Sequence, residues 1–273
     1  MTLNDILKKS IFSSVGTLIK EEDVIKFLEY VEYNKDFLSK FPYIIYSVNG
    51  DKNLCDFSEK TIKKMFPDSI VEFIFSENLG HTFGTFLIEY VIYERGSQLG
   101  QYEYIWKFSN DTIVNTDIFN IDIVPSDFYY INNLGYYYFI QNKDEDNNTL
   151  KEKVKSKEYF YPQTYFYIIK NKIKFYPNKE SIYELYKIYK DRKDINQKPW
   201  ECIPNCDCES FLKKTVVENK LSSHMLLNDA EIDSIINLIK FSKIIDGSHK
   251  NVLYKRFGNL CHLHWSDQPV IEI

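Results

Sequence analysis

The chain has 273 residues, enough for one large domain or two closely packed ones. Its 34 Lys+Arg stand against 39 Asp+Glu, a formal net charge of −5, which removes the electrostatic case for nucleic-acid binding. No apolar run reaches the roughly 18 residues of a membrane span, and the opening MTLNDILKKS has neither an apolar signal core nor a cleavage pattern, so a cytoplasmic protein without a membrane span is expected. Five cysteines, an odd number, suit a reducing compartment better than a disulfide framework.

Taken in chain order, Ser10 to Thr17 predicts a first strand ending in small residues and Gly16, where backbone can approach a ligand closely. Glu21, Glu22 and Asp23 favour a helix start, and Val24, Phe27, Leu28 and Val31 continue at helical spacing. Tyr43 to Val48 predicts a second strand running into Asn49-Gly50-Asp51, a sequence as well suited to a plain turn as to ligand contact. A helix is expected over Ser58 to Phe66. Ile70 to Phe75 then reads as a short buried strand, followed by the polar loop Ser76-Glu77-Asn78-Leu79-Gly80-His81. Phe83, Phe86, Leu87, Tyr90 and Val91 form the apolar stripe of a helix, and Tyr104 to Phe108 predicts another buried strand, ending at Ser109-Asn110-Asp111.

Strands alternating with helices over about the first 110 residues define an α/β class with a mostly parallel sheet and right-handed crossovers. In such sheets ligands sit in the crevice at the carboxyl ends of the strands, which is where these polar residues fall.

After Asp111 the pattern changes. Phe128 to Ile131 and Tyr136 to Gln141 read as strands, and the charged stretch Asn142 to Lys157 as a solvated loop. Tyr165 to Ile169 and Lys172 to Phe175, joined by Lys170-Asn171, suggest a hairpin. A helix is expected from near Asn178, another after Cys206-Asp207-Cys208-Glu209, and a last one from near Asn228, before the tail Cys261-His262-Leu263-His264-Trp265.

No G-x-x-x-x-G-K-[ST] loop, G-x-S-x-G elbow or H-E-x-x-H helix occurs. What remains is Asp111 at a strand end, since a carboxylate there can hold a hard divalent cation whose other ligands are water and substrate phosphates. A polar turn capping the strand is the plainer alternative. Glu209 can serve as a base or simply as an acidic residue stabilising a helix start. Alternation puts His262 and His264 on one face of an extended segment. Cys202, Cys206 and Cys208, with Cys261 or a tail histidine, have the number of ligands for zinc but lack the paired C-x-x-C spacing, so they read as thiols in a loop rather than a zinc site.

The order of these elements resembles the GT-A glycosyltransferases, particularly the family 2-like nucleotide-sugar transferases. The segments that carry the resemblance are Ser13 to Gly16, Ser76-Glu77-Asn78-Leu79-Gly80 and Ser109-Asn110-Asp111. In the family the last of these is an acidic Asp-x-Asp; here Ser109 stands at its first position and Asp111 matches its second. The resemblance implies a GT-A domain, with residues 1–117 binding the nucleotide-sugar and 118–273 the acceptor. Mn²⁺ or Mg²⁺ would be held by Asp111 with His262 and His264. A nucleoside diphosphate sugar, a UDP-sugar being favoured, would lie against Ser13, Ser14, Val15, Asn49, Asp51, Asn78, Gly80 and Asn110. A hydroxyl acceptor, a glycan, would be deprotonated by Glu209 or Asp207 in an inverting reaction. Two rivals remain: a sugar nucleotidyltransferase, whose basic Gly-rich loop is missing from Ile11 to Leu18, and a non-catalytic carbohydrate-binding or scaffold protein on a degenerate transferase fold, which Ser109 keeps open.

Overall fold

The structure is a computed structural model that describes residues 1–109, 112–114, 116–132, 146–156, 160, 162–192, 199, 203, 206–226, 229 and 260–262. Its strands are β1 (Ser10–Leu18), β2 (Tyr43–Gly50), β3 (Ile70–Phe75), β4 (Tyr104–Phe108), β5 (Thr112–Val114), β6 (Phe128–Asn132), β7 (Pro162–Lys170), β8 (Ser223–Met225) and β9 (Leu260–His262). Its helices are α1 (Leu3–Leu7), α2 (Glu21–Tyr33), α3 (Lys35–Leu38), α4 (Lys52–Met65), α5 (Gly80–Gln98), α6 (Asn147–Lys155), α7 (Lys179–Lys190) and α8 (Cys208–Glu218).

Seven strands form one sheet in the order β3-β2-β1-β4-β7-β6-β8, while β5 and β9 make a separate two-stranded ribbon. β1 pairs in parallel with both β2 and β4, and β2 pairs in parallel with β3. β7 is antiparallel to β4 on one side and to β6 on the other, and β6 is parallel to β8. β7 alone therefore runs against the rest, which gives the mostly parallel α/β sheet with a small antiparallel part in its second half. No helix among the described residues is long and apolar enough to cross a membrane.

Strand alternation sorts the core between the two faces of the sheet. On one face Phe12, Ile44, Tyr46 and Trp106 pack against Val24, Phe27 and Val31 of α2 and Cys55 and Ile62 of α4. On the other, Ile11, Val15, Ile45, Ile105 and Tyr167 pack against Ile88, Ile92 and Tyr93 of α5 and Leu212 and Val216 of α8. Much of the aromatic content is spent here. Phe37 stacks on Phe119 with centroids 5.1 Å apart, and Phe41 meets Trp106 edge-on at 5.2 Å.

Four local expectations need correction. Asn49 and Gly50 are the end of β2 rather than a turn, because Thr17 pairs with Asn49 and Leu18 with Gly50. α4 begins at Lys52, six residues before the expected start at Ser58, since the Asp51 carboxylate accepts from the main-chain N–H groups of Asn53 and Leu54 and caps the helix there. The charged loop contains α6, capped in the same way by Asp146. Finally, Lys172 to Phe175 does not pair with β7. Lys172 takes a φ of 64°, and the Asn171 amide donates to the carbonyls of Gly96 and Tyr102, which ties this segment to the end of α5. Tyr136 to Gln141 and the helix expected from Asn228 lie outside the described residues.

Gly50 sits at φ 117°, and a Cβ there would lie 2.2 Å from the carbonyl oxygen of Leu18. Left-handed strain and that clash add, so Gly50→Ala is expected to cost about 2 kcal/mol or more. A lower urea midpoint with an unchanged m-value would register it.

Candidate active site

The chain moves outward from β1 to β2 and β3, then returns to place β4 on the other side of β1, so the topological switch point lies between β1 and β4. Phe108, at the carboxyl end of β4, is opposite Phe166 of antiparallel β7, which brings the start of β7 to this same edge. In the ribbon, Thr112 pairs with His262. The backbone of the late histidine thus runs beside the residue that follows Asp111. Asn110, Asp111 and His264 lie outside the described residues.

The candidate donor residues divide between the sheet's two faces. The Ser13 hydroxyl donates to the main-chain carbonyl of Trp106 at 3.1 Å and is fully buried. Val15 follows it on the same face, in the core beneath α5. Ser14 points the other way, into a small aromatic-walled pocket with Phe27, Tyr30, Tyr46, Phe108 and Ser109. The Tyr46 hydroxyl is buried there without a hydrogen-bond partner among the described residues, and burial pushes its proton affinity far up.

Asn49 is buried and its side-chain oxygen has no hydrogen-bond partner among the described residues. Its amide nitrogen lies where a Cβ on Gly84 would come within 3.2 Å, so the glycine permits the close contact between the end of β2 and the first turns of α5. The Asn78 side chain accepts from the N–H of Gly80 at 2.9 Å, and Gly80 opens α5 at φ 82°. Asp51 is exposed and acts as the α4 cap at 2.9 and 3.1 Å. As a cap it is worth about 1 kcal/mol, the loss expected in thermal unfolding of Asp51→Ala.

Asp207 and Glu209 prove unequal. The Asp207 carboxylate caps α8, accepting from the Ser210 N–H at 2.7 Å and the Ser210 hydroxyl at 2.8 Å. Glu209 lies in the first turn of that helix, half-buried, and accepts from the Thr164 hydroxyl at 3.0 Å near the start of β7. Burial raises its carboxyl above the ordinary range, with Asp207 and Glu89 adding to the rise, while hydrogen bonds from its own N–H and from Thr164 oppose it.

A buried ion pair missed in the sequence reading connects to Glu209 through Thr164. Lys107 of β4 and Glu89 of α5 form an ion pair at 2.7 Å with side-chain exposures of 2% and 5%. The Lys107 ammonium also donates to the main-chain carbonyl of Thr164 and sits 5.8 Å from the Tyr167 ring centroid. Tyr167 in turn shares a hydrogen bond with Tyr93, whose ring stacks on Phe175. Both Tyr93 and Tyr167 are held well above the ordinary phenol range, by burial first. The Cys208 thiol is likewise pushed far up, by burial and then by Glu89 and Glu209. Cys206 packs in an apolar cluster with Leu79, Phe83 and Phe86. Among the described residues no three His, Cys, Asp or Glu side chains are grouped to hold a metal. The visible signal for the ion pair was a lysine inside an apolar strand and a glutamate inside an apolar helix.

No protein-family model and no curated protein matches the chain. Among solved structures it is similar to a nucleoside-diphosphate-sugar pyrophosphorylase from Vibrio cholerae, at 13% identity and TM-score 0.37 over 80% of this chain and 91% of that one. It is also similar to a glycosyltransferase involved in glycosylating the major capsid of PBCV-1, at 14% identity and TM-score 0.36 over 94% of each chain. A third is core-mannan synthase A from Aspergillus fumigatus in a Mn/GDP form, at 10% identity and TM-score 0.33 over 66% of this chain and 64% of that one.

Proposed function

We propose that the protein is a metal-assisted glycosyltransferase that moves a sugar from a nucleoside diphosphate sugar, with UDP-sugars favoured, to a hydroxyl of a glycan acceptor. One observation carries the reading. Glu209, the carboxylate with raised proton affinity, is bonded to the start of β7, at the same sheet edge where β4 ends and the chain enters Ser109-Asn110-Asp111.

A carboxylate with raised affinity suits a general base that takes a proton from an acceptor hydroxyl as its oxygen attacks the sugar carbon. Asp207 is committed to capping α8, so Glu209 is the residue for that role. A carboxylate suits Mn²⁺ or Mg²⁺, and imidazole nitrogens beside it favour Mn²⁺ of the two, since Mg²⁺ holds to oxygen ligands. Asp111, with His262 and His264, would hold the ion, which when bound supplies positive charge to the departing diphosphate. Ser14, Asn49, Asn78 and Gly80, together with Asn110, line the approach for the nucleotide and sugar in this reading, while Ser13 and Val15 support the sheet beneath it.

The test is a thermal-shift panel of UDP, GDP, CDP and TDP, each with and without Mn²⁺, on the native protein and on Asp111→Ala. A ligand of the native state must raise its melting temperature by mass action. One diphosphate is expected to stand out only with metal, and only in the native protein. A well-folded sample that shifts with none of them would sink the transferase reading and favour a carbohydrate-binding scaffold.

A further inference from the structure

We propose that the buried Glu89–Lys107 pair positions the Glu209 side chain by anchoring Thr164, so that these three residues act as a support for the base rather than as core filling. The inference deepens the reading of Glu209 as general base and rests on it.

Three contacts make a continuous path. Glu89 pairs with Lys107 at 2.7 Å, Lys107 donates to the Thr164 carbonyl, and the Thr164 hydroxyl donates to Glu209 at 3.0 Å. Thr164 is the joint, held through its main chain from below and holding Glu209 through its side chain. A fully buried lysine is a costly way to fill a strand position that Ile or Val would fill well. Its neighbours in the cross-sheet row are Ser13 on β1 and Tyr167 on β7, again polar-bearing side chains in a core. The titratable and charged groups that bear on Glu209 are Asp207 and Cys208 on its own helix and Glu89 from α5, while Lys107 reaches it through Thr164. The positive charge of Lys107 is matched by Glu89, so the pair holds Thr164 without imposing a large net charge on the base.

The test is a double-mutant cycle read by ¹³C NMR on protein labelled at the glutamate side-chain carboxyl carbon, with the Glu209 signal assigned by its loss in Glu209→Gln. Thr164→Val removes the donor that favours the charged form, so the Glu209 midpoint is expected to rise by roughly half a unit or more, and Thr164→Ser should restore it. In Glu89→Gln/Lys107→Met the pair is replaced by neutral groups of similar size. With Thr164 no longer anchored, adding Thr164→Val to this variant should have little further effect on the Glu209 midpoint. An equal rise on adding Thr164→Val with and without the pair would overturn the proposal.

Should the paired variant fail to fold, the same cycle is run with Glu89→Gln in its place, where adding Thr164→Val should again move the Glu209 midpoint less than it does in the native protein. An equal rise there also overturns the proposal. The base role itself is read separately, from transfer by Glu209→Gln. Coupling in the NMR cycle with undiminished transfer would leave the support intact and remove the base.

Discussion

Lys107→Met is expected to destabilise the protein by about 3–5 kcal/mol, the range for removing one partner of a buried ion pair. Lys107 and Glu89 are 2% and 5% exposed, so the carboxylate left behind has no access to water, and the Thr164 carbonyl loses its ammonium donor as well. The loss should be far larger than for a surface pair such as Lys9–Glu103, whose side chains are both more than half exposed. Replacing both partners, as in Glu89→Gln/Lys107→Met, should recover much of the stability, because the penalty lies in the uncompensated charge rather than in the absence of the pair. Urea unfolding of the three proteins decides it. A single variant within about 1 kcal/mol of the native protein would mean that the lysine is not held as described.

Glu209→Gln is expected to pull activity and stability in opposite directions. Loss of a positioned base typically removes a factor of about 10²–10⁴, so sugar transfer should fall by that much with donor binding retained. Stability should rise. The folded carboxyl has a higher proton affinity than the unfolded one, so the native state binds more protons as pH climbs from the ordinary carboxyl value through the folded one. Stability contributed by this group is therefore present at low pH and lost across that window, and at neutral pH the ionised Glu209 opposes folding. Glutamine escapes the penalty, so the melting temperature of the variant should exceed the native one at pH 7 and converge on it toward pH 4. Equal melting temperatures at both ends would show that the carboxyl is solvated like a surface group.

The α/β class and the elements up to Phe108 were legible because each strand is a short apolar run and most of the helices carry an apolar stripe. The stripe named for α5 understated it. Phe83, Phe86 and Leu87 face one cluster, while Ile88, Ile92 and Tyr93 are buried in another, so the helix is covered on both sides. Placement in the second half failed where side chain to main chain bonding rather than apolar pattern decides the chain's path. Asn171 turns Lys172 to Phe175 away from β7, and Asp146 starts a helix inside a charged stretch. At the site, the helix-start position of Glu209 could be read from the residues around it, since Asp207 is a good cap with Ser210 three positions on. The division of Ser13 from Ser14 follows from strand alternation alone. Lys107 and Glu89 could not be read as a pair, because the expected crossover lays α5 on the sheet without saying which of its turns covers which strand.

β7 enters the sheet between β4 and β6, although it is made some fifty residues after β4. During synthesis the emerging chain must therefore hold β4 with one side open until a distant strand arrives, and Lys107 waits over the same interval for the Thr164 carbonyl. Non-local closure of this kind slows folding, since the entropy of the intervening loop is lost before the pairing rewards it. An amide-exchange experiment should find β4 and β7 opening together, as one cooperative unit that spans both halves of the chain.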